Sequence, residues 1–460
     1  MTIWQPELAK YRGPRYQAIA EAIGASIRSG ELGPGVKLPP QRDLAWRLGV
    51  TVGTVTRGYM LAEQRGLVSG EVGRGTFVRQ PRSGVQPILH APSGDTLDLS
   101  RNAPAIGEPT RLLADALTEL SQREGLEKLL AYAPTAGYAE HRAAGARWMG
   151  RVGLNVRPEQ VVLTAGAQQG VAAALAALAE PGDRILTEQL TYCGLIDAAR
   201  LLRLRPEGLP LDEEGIRPDA VEAACRAGRV RVLCVTPTNQ NPTNATMSLS
   251  RREEIAALAR RLDLIVVEDD VYGYLVEQRP PPIAALAPER TVYIASASKC
   301  IVPGLRVAWL AGPEALVPGL IDAVHALCVS VAALPAQIVS QWIEDGTADQ
   351  LTRRHREEIA RRQAIAAEVF AGFEMRHAPT SFNIFPTLPE PWRAQEFVEG
   401  ARAKGIVIVP AGTFAVGRAE APHAVRISLS AAPDTSTLKS ALVTLADMAR
   451  AGPGARRAVI

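Results

Sequence analysis

Short apolar runs alternate with helical segments over most of the chain, from Leu99 onward. The runs that predict strands are residues 161–163, 184–186, 230–235, 264–267, 292–294 and 307–310. Apolar residues recur at helical spacing between most of these runs, at residues 168–179, 196–202 and 251–262. This alternation predicts an α/β fold with a mainly parallel sheet and flanking helices. Ligands bind such sheets at the carboxyl ends of the strands, so the polar segments that follow the strands are candidate sites.

One lysine lies in an unusual sequence environment. The chain has six lysines, and five of them lie among polar, charged or turn residues. Lys299 alone follows a run of apolar and small residues and precedes another apolar run. A buried ammonium must find a partner, lose its charge or form a covalent bond, because a bare buried charge is costly. This stretch leaves two interpretations open, a Schiff-base lysine and a strand-end lysine whose ammonium reaches water.

Two of the polar segments are a helix start and a turn. Gly166, Ala167 and Gln168 follow the first strand and open a helix, where free backbone N–H groups can bind an anion. Small residues at a helix start are also common without a ligand, so this motif alone favours a structural role. Asn241 precedes a proline after the third strand and presents its amide at a fixed turn.

Two further segments carry charged groups. Asp269 follows the fourth strand and Tyr272 lies shortly after it, so the pair can address two atoms of one planar ligand. Acid clusters at strand ends also bind metals, but a matching set of ligands is missing nearby in the sequence, which disfavours a metal site. Arg306 offers a bidentate fork for phosphate, and Ser296 and Ser298 add hydroxyl donors.

These segments together fit one cofactor. The ligand they require has a phosphate, a ring nitrogen for an acid, a ring oxygen for donors and an aldehyde for Lys299. Pyridoxal 5′-phosphate has all four groups. Asp269 would keep the ring nitrogen protonated, whereas Tyr272 and Asn241 would hydrogen-bond the ring oxygen. Tyr192, which follows the second strand, could stack on the ring face.

The first 80 residues form a small basic segment. They contain 11 Lys and Arg against 6 Asp and Glu, whereas the whole chain has a net charge of +3, which leaves −2 for the remainder. A basic segment on a faintly acidic body suggests a polyanion partner for the N-terminal part alone. Chance variation in a short segment would give the same imbalance, so the charge does not decide the point.

Turn and capping residues divide this segment into short helices and a hairpin. Residues 38–49 predict a short helix that Gly49 ends, Thr51 can cap the next helix, and residues 67–78 predict a hairpin with a Gly-Arg-Gly tip. The arrangement is typical of a winged helix-turn-helix, whose last helix enters the major groove of DNA. The alternative is a helical bundle with a hairpin that binds protein or nothing. The residues predicted to contact double-stranded DNA are Arg42, Thr51, Gly53, Thr54, Thr56, Arg57 and Arg74.

The predicted recognition helix also has an apolar stripe. Val52, Val55, Tyr59 and Ala62 follow one another at spacings of three, four and three residues. This spacing predicts that all four side chains face the core. We therefore expect Val52 to pack inside the module rather than to contact DNA.

A tether separates the two parts of the chain. Residues 80–98 are rich in Pro, Gly and Ser and show no periodicity. The predicted organisation is a DNA-binding domain at residues 1–79, a flexible linker at 80–98 and a large domain at 99–450.

Both domains resemble known families. Residues 38–78 resemble the GntR-type winged helix, because they supply nearly all of the pattern LPxxRxLAxxLGVxxxTVxRxYxxLxxxGLVxxxxGxGTFV. Residues 99–450 resemble the class I/II aminotransferases of fold type I, through the ordered motifs GAQQ, TYxG, NPT, DDxYG, SxSKxxxPGLR and VRISL. The whole chain is therefore similar to the MocR-type regulators, the GntR subfamily that carries an aminotransferase-like domain.

The resemblance has further implications. It implies a pyridoxal-phosphate-dependent domain with a mainly parallel sheet and a small C-terminal α+β subdomain. It implies that Arg426, with Asn241, binds a substrate α-carboxylate, and that Tyr132 reaches the phosphate across a homodimer interface.

The chain departs from the family patterns at four points. Asn244 replaces the glycine of NPTG, and we expect the turn to survive because Asn tolerates left-handed backbone angles. Cys300 replaces a common threonine beside the lysine, which removes a phosphate donor. Asn239 stands where relatives often have histidine. Thr51-Val52 replaces a common Ser-Arg, which removes a phosphate or base contact.

Three functions remain open at this point. The favoured one is a transcriptional regulator in which an amino acid or amine effector, or a vitamer, reacts with the cofactor at Lys299 and changes the affinity for operator DNA. The alternative is an active aminotransferase with an accessory DNA-binding module. A cofactor-free dimerisation domain is disfavoured, because every essential cofactor-binding group is kept.

The remaining sequence features indicate a cytoplasmic protein without a membrane anchor. The five cysteines are scattered and form no CxxC pair, so neither a disulfide framework nor a zinc site is predicted. The N-terminus lacks the pattern of a signal peptide. Polar residues interrupt every stretch of about 20 residues, the length that a membrane helix needs.

Overall fold

The chain forms two compact units, residues 1–89 and 90–460. The computed structural model describes residues 4–11, 13–33, 35–65, 67–71, 75–78, 96–104, 109–417 and 420–453. Most of the predicted linker and the predicted hairpin tip, with Arg74, lie outside these residues.

In its described residues, the N-terminal unit contains a short 3-10 helix (Leu8–Lys10), three α-helices and a two-stranded antiparallel wing. Its elements are α1 (Arg15–Arg28), α2 (Gln41–Leu48), α3 (Val52–Gln64), β1 (Val68–Glu71) and β2 (Gly75–Val78). Gly49 ends α2 at φ 59°, a left-handed conformation that glycine adopts readily. The Thr51 side chain then accepts a hydrogen bond from the backbone N–H of Thr54 and caps α3, as predicted.

The core of this unit lies between α1 and α3. Val55, Tyr59 and Ala62 are buried there, and the Tyr59 hydroxyl donates to the Pro39 carbonyl at 2.8 Å. The prediction for Val52 was wrong, because its side chain is 43% exposed. Val52 has the helical spacing of the buried residues. However, it is the first residue of α3, and the contact with the core does not extend to that end of the helix.

The second unit contains the remaining elements. Its helices are α4 (Pro109–Ser121), α5 (Glu127–Leu130), α6 (Ala139–Gly150), α7 (Ala167–Leu178), α8 (Cys193–Leu201), α9 (Pro218–Arg226), α10 (Leu249–Arg261), α11 (Ile283–Leu286), α12 (Val317–Cys328), α13 (Ala333–Glu344), α14 (Thr347–Val369), α15 (Ala394–Ala403) and α16 (Thr435–Ala451). Its strands are β3 (Leu97–Asp98), β4 (Val161–Thr164), β5 (Arg184–Glu188), β6 (Arg205–Leu209), β7 (Leu211–Asp212), β8 (Gly215–Ile216), β9 (Val232–Val235), β10 (Ile265–Asp269), β11 (Thr291–Ser296), β12 (Ala308–Ala311), β13 (Met375–Arg376), β14 (Asn383–Pro386), β15 (Ile406–Val407), β16 (Val409–Pro410) and β17 (Val425–Ser428).

A seven-stranded sheet organises this unit, in the order β4-β12-β11-β10-β9-β5-β6. Strand β12 is antiparallel to both of its neighbours, and every other pair is parallel. Strands β4, β5, β9, β10 and β11 therefore end at the same edge of the sheet. The predicted mainly parallel α/β fold is confirmed, and all six predicted strands are present.

A smaller antiparallel sheet, β13-β14-β17-β16, packs with α14, α15 and α16 near the C-terminus, as expected for the α+β subdomain. Strand β3 pairs in parallel with β15 of this region. Leu97 and Asp98, which the sequence assigned to the linker, are therefore structural parts of the large unit. Among the described residues, no helix is long and apolar enough to cross a membrane.

Close packing between α6 and β12 gives a test of the fold. A Cβ atom added at Gly145 would lie within 2.7 Å of three atoms of the Trp309 ring. Gly145→Ala should therefore lower the free energy of unfolding by about 1–3 kcal/mol, because the packed ring must move. Chemical denaturation measures this change.

Gly150, at the end of the same helix, provides the matched control. A Cβ added there meets no atom of the described residues within 4 Å. Gly150→Ala should leave stability unchanged or raise it slightly, because alanine favours helix. Equal destabilisation by both substitutions would contradict the packing between Gly145 and Trp309.

Candidate functional site

Lys299 lies just beyond the carboxyl end of β11, at the edge where the parallel strands end. Its side chain is half-buried, and its Nζ donates a hydrogen bond to the carbonyl oxygen of Asn102. Burial lowers the pKa of Lys299 to about 8, and the positive charge of Arg426 lowers it further, whereas the negative charge of Asp269 acts in the opposite direction. The neutral fraction of this amine near physiological pH is therefore larger than that of an ordinary lysine, although the charged form still predominates.

Asp269 ends the neighbouring strand, β10. Burial raises the pKa of its carboxyl to about 6, and the adjacent charge of Asp270 adds to the effect. Its Oδ1 atom is buried and finds no hydrogen-bond partner among the described residues. A buried carboxylate oxygen without a donor is costly, so this atom is suited to a donor from a ligand.

Tyr272 follows Asp269 and is buried against Lys299. The lysine Nζ lies 5.8 Å from the centre of the tyrosine ring. The Tyr272 hydroxyl accepts a hydrogen bond from Asn102 Nδ2 at 3.2 Å, and the same amide donates to Asn383 Oδ1 at 2.8 Å. Asn102 thus holds both the lysine and the tyrosine. Sequence patterns did not identify it, because it lies in an irregular segment without periodicity.

Arg426, from β17, reaches this cluster from the smaller sheet. Its Nη1 donates to Asn241 Oδ1 at 2.8 Å, and its Nη2 donates to the Ser100 carbonyl. The guanidinium lies 4.7 Å from the ring centre of Phe414, and burial lowers the pKa of Arg426. The arginine and the Asn241 turn, predicted from separate motifs, are in direct contact.

The start of α7 and Arg306 form the second side of the cluster. Gly166 precedes α7 with φ 86°, and a Cβ atom there would overlap the Arg306 guanidinium. No side chain of the described residues caps this helix start, so its first N–H groups are open to an anion. Ser298 precedes Lys299 in the sequence, and its Oγ is buried without a hydrogen-bond partner among the described residues. Ser296 Oγ accepts a hydrogen bond from the Ser298 N–H at 3.1 Å.

Ala167 and Gln168 occupy the first turn of α7. Gln168 Nε2 donates to the Gly194 carbonyl at 2.8 Å, which ties α7 to the start of α8. A Cβ atom at Gly194 would lie 2.4 Å from the Tyr192 ring, so this glycine lets the ring approach. The glutamine therefore supports the position of Tyr192.

A cavity separates Tyr192 from Asp269. Its other polar lining residues include Glu188, Thr191 and Thr236. Glu188 accepts hydrogen bonds from the Thr236 N–H at 2.7 Å and from Thr191 Oγ1 at 3.0 Å, and burial raises its pKa to about 7. Sequence patterns did not reveal Glu188, because its surroundings are those of an ordinary strand end.

Two residues from the sequence analysis lie apart from this cluster. The Tyr132 side chain is 87% exposed, so within one chain it does not join the site. Cys300 is fully buried in the hydrophobic core, and its Sγ lies 3.9 Å from the Val271 carbonyl oxygen.

The unusual asparagines are accommodated by the fold. Asn244 adopts φ 62°, which confirms that the turn survives without glycine. Its side chain also accepts from Ser381 Oγ at 2.5 Å and donates to the Asn383 carbonyl at 3.0 Å, so it fixes the turn to β14. Asn239 likewise adopts φ 47° and donates to Thr380 Oγ1 at 3.3 Å.

Apart from Arg74, which lies outside the described residues, the candidate DNA-contacting residues lie on α2, on α3 and at the cap of α3. Thr51 Oγ1 and Thr54 Oγ1 lie 2.9 Å apart, and Thr56 Oγ1 donates to Gln41 Oε1 at 2.7 Å. These three hydroxyls therefore fix the local structure. Gly53 is exposed at the start of α3.

Two arginines border the same surface. Arg42 is exposed on α2. The Arg57 guanidinium lies 4.4 Å from the centre of the Tyr16 ring, which orients it on the surface of the unit.

Two protein families match this chain. The model of the gntR family of bacterial regulatory proteins matches residues 15–78, and that of class I and II aminotransferases matches residues 94–445. The uncharacterized HTH-type transcriptional regulator YdeF of Bacillus subtilis is 30% identical over 96% of each chain. The HTH-type pyridoxine biosynthesis transcriptional regulator PdxR of Corynebacterium glutamicum is 29% identical over 76% of this chain and 77% of its own length.

A solved structure supports the assignment of the large unit. The α-aminoadipate aminotransferase LysN of Thermus thermophilus, complexed with N-(5′-phosphopyridoxyl)-L-leucine, is 29% identical with a TM-score of 0.70. The match covers 77% of this chain and 92% of that one. The chain therefore belongs to the gntR family of bacterial regulators, in the MocR-type group that joins a winged helix to a class I and II aminotransferase-like domain.

Proposed function

We propose that this protein binds pyridoxal phosphate at Lys299 and regulates transcription in response to an amino acid or related amine. The observation that carries this proposal is a pair of buried atoms, Asp269 Oδ1 and Ser298 Oγ, that find no hydrogen-bond partner in the part of the chain that the structure describes. A ligand with a protonated ring nitrogen and a phosphate satisfies both atoms. In the same chain, a complete helix-turn-helix supplies the DNA-binding part.

The residues present fit this cofactor. Asp269 would hold the ring nitrogen and Tyr272 the ring oxygen, with Tyr192 against the ring face. The phosphate would lie at the start of α7, beside Arg306. When bound, pyridoxal phosphate supplies an aldehyde that condenses with amines and a ring that withdraws electrons.

The residues of the chain also define the effector class. Arg426 is a buried cation whose Nε lacks a partner among the described residues, and its positive charge lowers the pKa of Lys299. A carboxylate would satisfy the arginine through paired hydrogen bonds. Lys299 offers a neutral amine that can accept or return a proton at the carbon of a bound amino acid. The effector is therefore an α-amino acid or a cofactor vitamer.

An active aminotransferase is the second candidate. Arg426 and Lys299, whose pKa is lowered, favour it, because they are the groups that amino-group transfer requires. A 2-aminoadipate transaminase of Thermus thermophilus is 33% identical over 66% of this chain and 78% of its own length. Sustained amino transfer to a 2-oxo acid would establish this activity, whereas a single half-reaction would fit the regulator.

We also propose a cytoplasmic homodimer with the domain limits predicted above, except that Leu97 and Asp98 belong to the large domain. The exposure of Tyr132 supports a role at the partner subunit, because it leaves the ring free to contact a second copy of the chain. The matched segments 15–78 and 94–445 support separate DNA-binding and cofactor-binding domains.

The central prediction concerns the coupling between the two domains. Wild-type protein should show visible absorption that borohydride removes, and at least one amino acid or vitamer should change its affinity for DNA from its own upstream region. Lys299→Ala should lose the absorption and the response while it still binds DNA, because the helix-turn-helix is intact. Spectra and gel shifts measure the two effects.

The exposed Lys404 gives the matched control. Lys404→Ala should retain both the absorption and the response. The regulatory proposal would be contradicted if no amine changed the affinity for DNA, or if Lys299→Ala still responded to the effector.

The charges around Lys299 predict a pH dependence. Only the neutral amine attacks a carbonyl, so the rate at which pyridoxal phosphate attaches to the apoprotein should rise with pH through a midpoint near the Lys299 pKa of about 8. Arg426→Met should move the midpoint to higher pH, because it removes a charge that lowers the pKa. Asp269→Asn should move it to lower pH. Stopped-flow absorbance measures these rates.

The two variants serve as controls for each other, since their shifts have opposite signs. A wild-type midpoint near the ordinary lysine value of 10.5 would contradict the proposed environment of Lys299. Shifts in the same direction would contradict the assigned roles of the two charges.

Arg57 provides a test of the DNA-binding surface. If Arg57 contacts a phosphate, Arg57→Ala should weaken binding to all DNA sequences by about threefold to tenfold. It should also reduce the slope of log K against log salt concentration by about 1. Arg65, exposed at the opposite end of α3, is the matched control and should have little effect. Fluorescence anisotropy at several salt concentrations measures both, and equal effects would contradict the proposed surface.

A further inference from the structure

We propose that Val52 contacts the C5 methyl group of a thymine in the major groove and makes this protein select a thymine at that position of its operator. This inference rests on the DNA binding proposed above. It assigns a specificity-determining contact to a residue that the helical spacing placed in the core.

The exposed face of α3 is the starting point. Val52, Gly53, Arg57 and Met60 are exposed, and Thr56 is partly exposed. At 100° per residue these five positions cover one continuous side of the helix. The buried residues Val55, Tyr59 and Ala62 cover the side that packs on the core.

The position of Val52 on this face decides its role. In a helix-turn-helix the N-terminal residues of the recognition helix contact the base edges. Val52 is the first residue of α3. Met60 lies eight residues later, about 12 Å along the helix axis, and therefore away from the end that enters the groove.

The threonine hydroxyls near the start of α3 are already engaged within the protein. Thr51 Oγ1 accepts from the Thr54 N–H at 3.2 Å and lies 2.9 Å from Thr54 Oγ1. The Thr56 hydroxyl donates to Gln41 Oε1 at 2.7 Å. These bonds make the threonines structural supports and leave the Val52 methyl groups as the exposed apolar surface of this turn.

An aliphatic side chain recognises one feature of the major groove. Thymine is the base that presents a methyl group there, whereas the other edges present hydrogen-bond donors and acceptors. Gly53, next to Val52, adds no side chain that would hold the helix away from the bases. Burial of Val52 against a thymine methyl removes two apolar surfaces from water.

The experiment uses the full-length protein and a random duplex library. Selected duplexes define the preferred site, and each thymine in it is then replaced in turn by uracil, which deletes only the methyl group. At one position in each half-site, uracil should weaken wild-type binding by about threefold to fivefold, the effect of one buried methyl group. Because the change is in the DNA, this step does not depend on the folding of a variant.

Val52→Ala then identifies the residue responsible. In this variant the thymine and uracil duplexes should bind equally well at that position. The thymine-to-uracil ratio of the wild type should be independent of salt, unlike the overall affinity, because the contact is uncharged. Val443→Ala is the matched control, since Val443 is similarly exposed at 39% in the other unit, and it should retain the wild-type ratio.

The outcomes separate this inference from DNA binding itself. The role of Val52 is overturned if specific binding is unchanged when each thymine is replaced by uracil, or if the thymine-to-uracil affinity ratio persists in Val52→Ala. Neither result contradicts the proposed regulatory function. Failure to recover any preferred duplex overturns both proposals.

Discussion

The large domain depends on the opposed charges that act on one half-buried amine. Lys299 lies between an acid that favours its charged form and an arginine that disfavours it, and burial decides the balance in favour of a low pKa. Asp269 alone would raise the pKa of this amine, whereas Arg426 alone would lower it further. The fold must therefore deliver Asp269 and Arg426 to the same place from different sheets.

The parallel sheet explains how this is achieved. Strands β10 and β11 are adjacent, so Asp269 and Lys299 arrive at the same edge by pairing alone. Arg426 comes from the smaller sheet and needs an additional link. Asn241 provides this link, because it accepts a hydrogen bond from the arginine, whereas Asn102 holds the lysine and the tyrosine. The amides are thus as necessary to the geometry as the charged groups are.

Sequence alone predicted the parts of this arrangement that follow local rules. The predicted strand ends gave the positions of Asp269 and Lys299, and the preference for threonine at helix caps gave the position of Thr51. Strand ends and helix caps could be predicted because each depends on residues close in the sequence. Asn102 was missed, since its partner Lys299 is 197 positions away and its own segment has no period. Val52 was wrongly predicted to be buried. It has the helical spacing of the buried residues, but spacing alone does not show at which end of a helix the contact with the core stops. Arg74 stays a prediction.

Two helix starts, one in each unit, show how the same element serves different ligands. The N–H groups at the start of α7 follow Gly166, which supplies no capping side chain, so they remain available to a small anion. At the start of α3, Thr51 already satisfies the Thr54 N–H. Recognition of DNA at α3 therefore depends on side chains, which can distinguish bases where backbone groups cannot. The capped helix suits sequence-specific DNA, and the uncapped one suits a phosphate whose position alone matters.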